Sequence, residues 1–325
     1  MTGSHQPANT LPDGQSVSLT EGLDRYSVEV SSGSLEVVRE TDHFWRLTEM
    51  TATEQEALSA FALLFSANSD IRTIELGQFK SEVLDSLSFE TAEGLKVLWR
   101  EAVMQTPELW LKNRNHALYP HKQVLDAAGY HPARPKPLYG ELYRRYIPEL
   151  NAVLTLEGLD VDKHLTLFNK WQNTKRVANF WEQTGSLEEH KFYLEESCKN
   201  HKNQLLIVCL DNQPFAYIEV YWTKEDRIAP YYAAGDYDRG IHMLVGEESH
   251  RGAHKVAAWL PSVCHFIYLS DPRTEKIVSE PRADNNKMIG YLQKYGFAKV
   301  KEFEFPHKRA ALMCQLKDSF FSNEF

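Results

Sequence analysis

The sequence predicts a mixed α/β chain of two domains, and three observations predict it. The chain has 325 residues, more than one ordinary domain needs. Hydrophobic residues make up 42% of it, with 7 Trp, 15 Tyr and 16 Phe, enough to bury a sizeable core and too many for a disordered chain. Strand-like runs are interleaved with runs whose apolar residues recur at helical spacing. The strongest punctuation is HPARPKP at 131–137. Proline fixes φ and removes a backbone donor, so such a stretch seldom lies inside a helix or a central strand. The resulting reading is a flexible lead-in over 1–18, an N-terminal α/β domain over 19–130, a Pro-rich linker over 131–148 and a C-terminal domain over 149–325.

In the first domain, Ser34–Arg39 and Asp70–Leu76 read as strands. Thr53 to Asn68 reads as a helix, with Thr53 and Glu56 at capping-box spacing, and Glu90–Met104 as a second amphipathic helix around Leu95, Leu98, Trp99 and Ala102. No chemical motif accompanies them. A structural or partner-binding module is the plain reading there.

The second domain opens with a strand at 151–158, then helices over Val161–Asn173 and Lys175–Gln183 and a capping box, Ser186 with Glu189, starting a third. Gln204–Leu210 and Phe215–Trp222, joined by DNQP, form a hairpin, and Gly240–Gly246 is the next strand. Helix Lys255–Leu269, strand Lys276–Glu280, helix Asn285–Tyr295 and a last hairpin, Lys299–Phe305 with Ala310–Leu316, complete it.

Charge and cysteine usage exclude several functions. Lys and Arg number 36 against 45 Asp and Glu, a formal charge of −9, which disfavours nucleic acid and anionic membranes as partners. The four Cys (Cys198, Cys209, Cys264, Cys314) form no CxxC pair, so neither a disulfide framework nor a zinc knuckle is expected. The start, MTGSHQPANTLPDGQS, has no apolar h-region, and no apolar run approaches the ~20 residues of a membrane span. A cytoplasmic protein is the expectation.

Two stretches carry chemistry. EESHRGAHKVAAWL places Arg251 and Gly252 directly before a helix. Unpaired N–H groups and the positive dipole end at a helix start suit a phosphate, and glycine lets it approach the backbone. Glu280-Pro281-Arg282-Ala283-Asp284-Asn285 ends a strand, with Asn285 placed as an N-cap and Gly296-Phe297 closing the next helix. His250 and His254, with Cys264 and His265, could suggest a metal, but no four-ligand set emerges and none is expected. His307-Lys308-Arg309 is a small basic cluster that suits a phosphate, an acceptor carboxylate or simply a turn.

The order of elements, the Arg251-Gly252 loop and the strand–Asn–helix–Gly-Phe–strand arrangement resemble the GNAT acyl-CoA acyltransferases. The strings WQNTKRVANFWEQTGSLEEHKFYL, YWTKEDRIAPYY, DRGIHMLVGEESHRGAHKVAAWL, PRTEKIVSEPRADN and EFEFPHKRAALM, in this order, resemble the siderophore-biosynthesis branch of that family, which includes the aerobactin hydroxylysine acetyltransferase and the mycobactin lysine acyltransferase. The resemblance runs from about Leu138 to Phe325. The first domain permits a degenerate GNAT-like half.

This resemblance implies an acyl-CoA cofactor, acetyl-CoA or another short acyl-CoA, held by Met243, Leu244, Arg251, Gly252, Ala253, His254 and Asn285, with no metal. His254 stands where the family's loop usually has a second small residue, and Leu292 where many members carry an acid tyrosine. It implies His242 as the base, near its ordinary pKa, partnered by Glu280 or Asp284. Asn173, Arg176, Trp181, Glu219 and Trp222 are the acceptor-binding candidates. The implied reaction converts an N-hydroxylated amine into a hydroxamate, with acetyl-CoA and N6-hydroxylysine as the leading pair and N-hydroxyputrescine, N-hydroxycadaverine and succinyl-CoA open; other siderophore-assembly enzymes are the implied partners. A plain amine acyltransferase and an acyl-CoA-binding protein without turnover stay open as alternatives.

Overall fold

The computed structural model describes residues 9–10, 14–79, 81–115, 121–199 and 201–323. Much of the expected lead-in, 1–8 and 11–13, lies outside the described residues. The rest of it differs from expectation: Ser16–Glu21 is a strand, because SVSLTE alternates and turns Val17 and Leu19 into the core. Two compact units form, Met1–Lys112 together with Arg144–Val153, and Asn113–Tyr143 together with Leu154–Glu324. No single linker separates them. Beyond Pro137, in the stretch expected to be linker, Gly140–Ile147 forms a strand with Leu142, Tyr143, Tyr146 and Ile147 buried.

The first unit is an eight-stranded sheet in which neighbours follow chain order until the last two strands exchange places. All its pairings are antiparallel except Phe44–Met50 with Thr73–Glu75, which run parallel and are joined by the helix Glu54–Ala67. The long helix expected over Glu90–Met104 is instead a hairpin, Ser88–Glu90 with Lys96–Trp99, followed by a short helix Arg100–Met104. Gly94, at φ +79°, closes the turn that interrupts the helical pattern. Nor does the Thr53–Glu56 capping box form. The Glu56 carboxylate instead accepts hydrogen bonds from Ser31, Ser32 and Thr53.

The second eight-stranded sheet is made of β1 (Gly140–Ile147), β2 (Ala152–Gly158), β3 (Asn203–Leu210), β4 (Gln213–Trp222), β5 (Arg239–Val245), β6 (Lys276–Ser279), β7 (Ala298–Glu304) and β8 (Arg309–Leu316); the stretch 144–153, across the end of β1 and the start of β2, is counted with the first unit, and the rest with the second. The helices of the second unit are α1 (Val161–Gln172), α2 (Lys175–Trp181), α3 (Leu187–Lys199), α4 (Ala253–Ser270), α5 (Asn286–Lys294) and α6 (Lys317–Asn323). The sheet order is β1-β2-β3-β4-β5-β6-β8-β7, with β5 and β6 the parallel pair and α4 crossing between them. This repeats the strand order of the first unit, parallel pair and crossover helix included. Among the described residues, the first unit lacks any counterpart of α1, α2 and α3.

Local chemistry explains the elements that frame the site. Asp160 caps α1 through Lys163 N–H, Thr174 caps α2 through Val177 N–H, and Ser186 and Glu189 satisfy each other's backbone N–H at the start of α3. Asp211 and Asn212, at φ +47° and +63°, make the tight β3–β4 turn. Leu205, Ile207 and Cys209 alternate along β3 and meet Phe168, Trp171, Val177 and Leu194 from the helices. Trp171 packs so closely that a Cβ at Gly246 would lie 2.1 Å from its ring. Among the described residues no helix is long and apolar enough to cross a membrane.

Candidate active site

The β5–β6 pairing ends early. Arg239 pairs with Ile277 and Gly240 with Val278, after which the two strands separate, while β5 stays paired with β4 as far as Val245. A cleft of about 640 Å³ lies there. His242, Met243, Glu280, Asn285 and Trp181 all line it.

His242 sits on β5 directly opposite Glu219 on β4. Its Nδ1 is 2.9 Å from Glu219 Oε2 and its Nε2 2.6 Å from Glu280 Oε1. Both ring nitrogens therefore face carboxylates and both act as donors, which requires the imidazolium. Burial disfavours that charge, but Glu280 and Glu219 outweigh it and raise His242 to about 10. Burial likewise works against the charge of Glu280, yet His242 holds its carboxyl down at about 2. Glu219 is also lowered against the effect of burial, by His242, Tyr193 and Tyr217.

Three tyrosines complete the unit. Tyr193 and Tyr217 donate to Glu219 Oε1, and Tyr221 donates to Glu280 Oε2 at 2.7 Å. Tyr217, Glu219 and Tyr221 lie two apart on β4 and so share a face. The Tyr221 ring centroid is 4.7 Å from that of His242. Glu280 is fully buried and Glu219 nearly so, whereas His242 keeps 24% of its side chain exposed. The imidazolium is thus the group the cleft presents to a ligand, with carboxylates behind it. A histidine at its ordinary pKa, as the sequence suggests, does not fit this geometry.

The structure separates the other candidates. Asp284 does not partner His242; it pairs with Arg282 at 2.8 Å on the rim, 66% exposed. Glu219, expected to touch the acceptor, lines the cleft and also holds His242. Trp222 is buried away from the cleft, with the Arg239 and Arg134 guanidinium groups 3.8 and 4.2 Å from its ring. Asn173 ends α1 and bonds to Gly185 through both its amide atoms. Arg176 donates to the carbonyls of Val245 and Gly246 at 2.7 and 3.0 Å, tying α2 to the end of β5. Of the acceptor-side candidates Trp181 and Glu219 line the cleft, the Trp181 ring 6.4 Å from that of His242.

At the other end of β5, Gly252 caps α4 with φ +116°, a conformation that favours glycine. Arg251, Ala253 and His254 are exposed around that helix start, and α4 has no acidic residue in its first turn. Met243 faces the cleft, while the Leu244 side chain belongs to the core under α1. Asn285 caps α5, accepting from Met288 N–H at 3.2 Å. Leu292 is fully buried and neither Tyr291 nor Tyr295 lines the cleft. Phe180, Gln183, Tyr193 and Arg227 also line it, and no motif in the sequence marks them for the site.

Comparisons with known proteins converge on one family. A family model described as an acetyltransferase (GNAT) domain matches residues 160–305. The Escherichia coli protein named N(6)-hydroxylysine O-acetyltransferase is 41% identical over 229 residues, covering 70% of this chain and 72% of the relative. The hydroxyornithine transacylase of Ajellomyces capsulatus is 42% identical over 187 residues, 56% of this chain and 43% of that protein. Among solved structures, an uncharacterized protein from Bacillus halodurans superposes with a TM-score of 0.54 at 28% identity, covering 59% of this chain and 100% of its own.

Proposed function

We infer the reaction from one premise: this chain belongs to the GNAT acyltransferases, in their siderophore-biosynthesis branch. The reading is transfer of an acyl group from coenzyme A to the nitrogen of an N-hydroxylated amine, giving a hydroxamate. Acetyl-CoA and N6-hydroxylysine are the leading pair; the names of the hydroxylysine and hydroxyornithine relatives support that acceptor class. The observation that carries it is the Glu219–His242–Glu280 unit beside the opening between β5 and β6.

When bound, coenzyme A supplies the activated thioester. In this reading its pyrophosphate lies at the start of α4, where Gly252 and the exposed N–H groups favour an anion. The acyl end reaches the unpaired edge of β5, where Met243 N–H, on the side away from β4, holds the developing oxyanion. The hydroxylamine nitrogen attacks the carbonyl carbon, the C–N bond forms and the C–S bond breaks. His242 starts as the cation with both N–H groups on carboxylates, so in this reading its Nε2 must first leave Glu280 before giving its proton to the departing sulfur. Neutral for that moment, it then takes the proton that the new amide nitrogen must lose. Protons balance over the cycle, and the two carboxylates return the ring to its charged state. The proton acceptor read from the sequence is kept, but it acts only after donating.

Coenzyme A release with N6-hydroxylysine and N-hydroxyputrescine, against lysine and putrescine, tests the reaction. Release only with the hydroxylated amines supports it; equal release with the parent amines replaces it with amine acylation. No release, with tight coenzyme A binding, leaves a binding protein. Because a hydroxylamine has two nucleophilic atoms, ferric-complex colour decides between them: a hydroxamate chelates iron and an O-acyl product does not.

A further inference from the structure

The cleft has a second charged wall. Arg227 Cζ lies 5.4 Å from the Phe305 ring centroid, Lys308 Nζ lies 5.7 Å from it, and the His307 ring stacks on it at 5.4 Å and 19°. Phe305 is itself buried, so the three basic side chains, all of which line the cleft, are gathered around one fixed ring. Other cations of the same rim are neutralised locally: Arg282 by Asp284, and Arg309 by Glu302. Arg227 and Lys308 are not. Among the described residues neither makes an ion pair, and Lys308 donates only to the Glu280 carbonyl at 2.7 Å. Burial, then Arg227 and Lys308, push His307 below the usual histidine range against the pull of Glu182 and Glu280, and burial also lowers Lys308 against the pull of Glu280 and Asp226. Arg227 also disfavours the charge of Lys308 beside it, and an anion entering the cleft against both would relieve that repulsion.

We propose that Arg227, His307 and Lys308 form a carboxylate-binding subsite that selects a carboxylate-bearing substrate for the reaction at His242. The inference rests on the acyl-transfer reading of the same cleft. Two substrates could bring the carboxylate: an N-hydroxylated amino acid as acceptor, or a dicarboxylic acyl chain on coenzyme A. A diamine with an acetyl donor brings none.

The test compares N6-hydroxylysine with N-hydroxycadaverine, the same chain without its carboxylate, and succinyl-CoA with acetyl-CoA. Wild type, Arg227→Gln, Lys308→Gln and the charge-keeping Lys308→Arg are used, each checked for native circular dichroism. A charge-assisted hydrogen bond to a carboxylate corresponds to roughly tenfold to a hundredfold in kcat/KM. Wild type should prefer one carboxylate-bearing substrate by that factor. Arg227→Gln and Lys308→Gln should abolish the preference through KM, sparing turnover of N-hydroxycadaverine with acetyl-CoA, and Lys308→Arg should retain it. Loss of the hydroxylysine preference identifies the acceptor as the source; loss of the succinyl preference identifies the acyl chain. No wild-type preference, or one that both Gln variants keep, overturns the subsite. If no pair turns over, the acyl-transfer reading fails, and calorimetric binding of N6-hydroxylysine against N-hydroxycadaverine then decides: tighter hydroxylysine binding lost in the Gln variants supports the subsite, and equal binding overturns it.

Discussion

Glu280→Gln removes one charge from the buried Glu219–His242–Glu280 unit while preserving the shape of the side chain. The Glu280 carboxyl is held at about 2, against 4.5 for an ordinary glutamate. At 1.36 kcal/mol per unit, that difference corresponds to about 3 kcal/mol of stability at neutral pH. This sits at the low end of the ~3–5 kcal/mol seen when one partner of a buried pair is removed. A lowered carboxylate contributes fully above its unfolded pKa, so this contribution fades as pH falls from 4.5 towards 2. His242 is raised from 6.5 to about 10, and the same interaction viewed from the ring is complete below 6.5 and fades as pH rises through 10. The destabilisation caused by Glu280→Gln should therefore be flat between pH 4.5 and 6.5 and shrink on both sides. Urea unfolding of both proteins across the acidic, central and alkaline ranges measures it, and carbon–proton NMR of the His242 Cε1 follows the ring directly. In the wild type the ring should stay charged well past neutrality, and the variant should titrate lower. A destabilisation independent of pH, or a wild-type ring titrating near 6.5, would refute the reasoning.

Gly240→Ala should disturb the same unit sterically, since a Cβ there would lie 2.0 Å from the Tyr221 ring that supports Glu280. We expect a loss of about 1–3 kcal/mol from overpacking with a fall in kcat, read by thermal unfolding and steady-state turnover. Asn285→Ala should cost about 1 kcal/mol through the lost cap of α5, with Asn285→Asp retaining most of it; unfolding curves check both.

Much of the second unit was legible because its signals are local. Capping residues at Asp160, Thr174 and Ser186 and the Asp211–Asn212 turn each act within a few residues. In the first unit, the strands Ser16–Glu21, Arg25–Val30 and Phe44–Met50 carry no comparable local signal. Each is short and half-exposed, and its stability comes from partners distant in sequence. At the site, His242 and Glu280 were legible from motif position, but the state of His242 was not. It depends on Glu219, which faces His242 across two strands joined by a long loop. The one sequence signal was the two-residue spacing of Tyr217, Glu219 and Tyr221, which places three polar groups on one face of an otherwise apolar strand. Arg176 and Asn173 bond to backbone, and in sequence a polar side chain that fastens backbone looks the same as one that meets a ligand.

The direct opposition of Glu219 and His242 makes chemistry and strand alignment inseparable. Side chains along a strand alternate faces, so a shift of β4 against β5 by one residue would turn Glu219, Tyr217 and Tyr221 to the other side of the sheet. The hydrophobic core would survive such a slip in part; the Glu219 contact to the ring would not. The ionisation of one histidine is therefore a register gauge for the central sheet, and a refolded sample with a well-packed core but a neutral His242 would be a misaligned one.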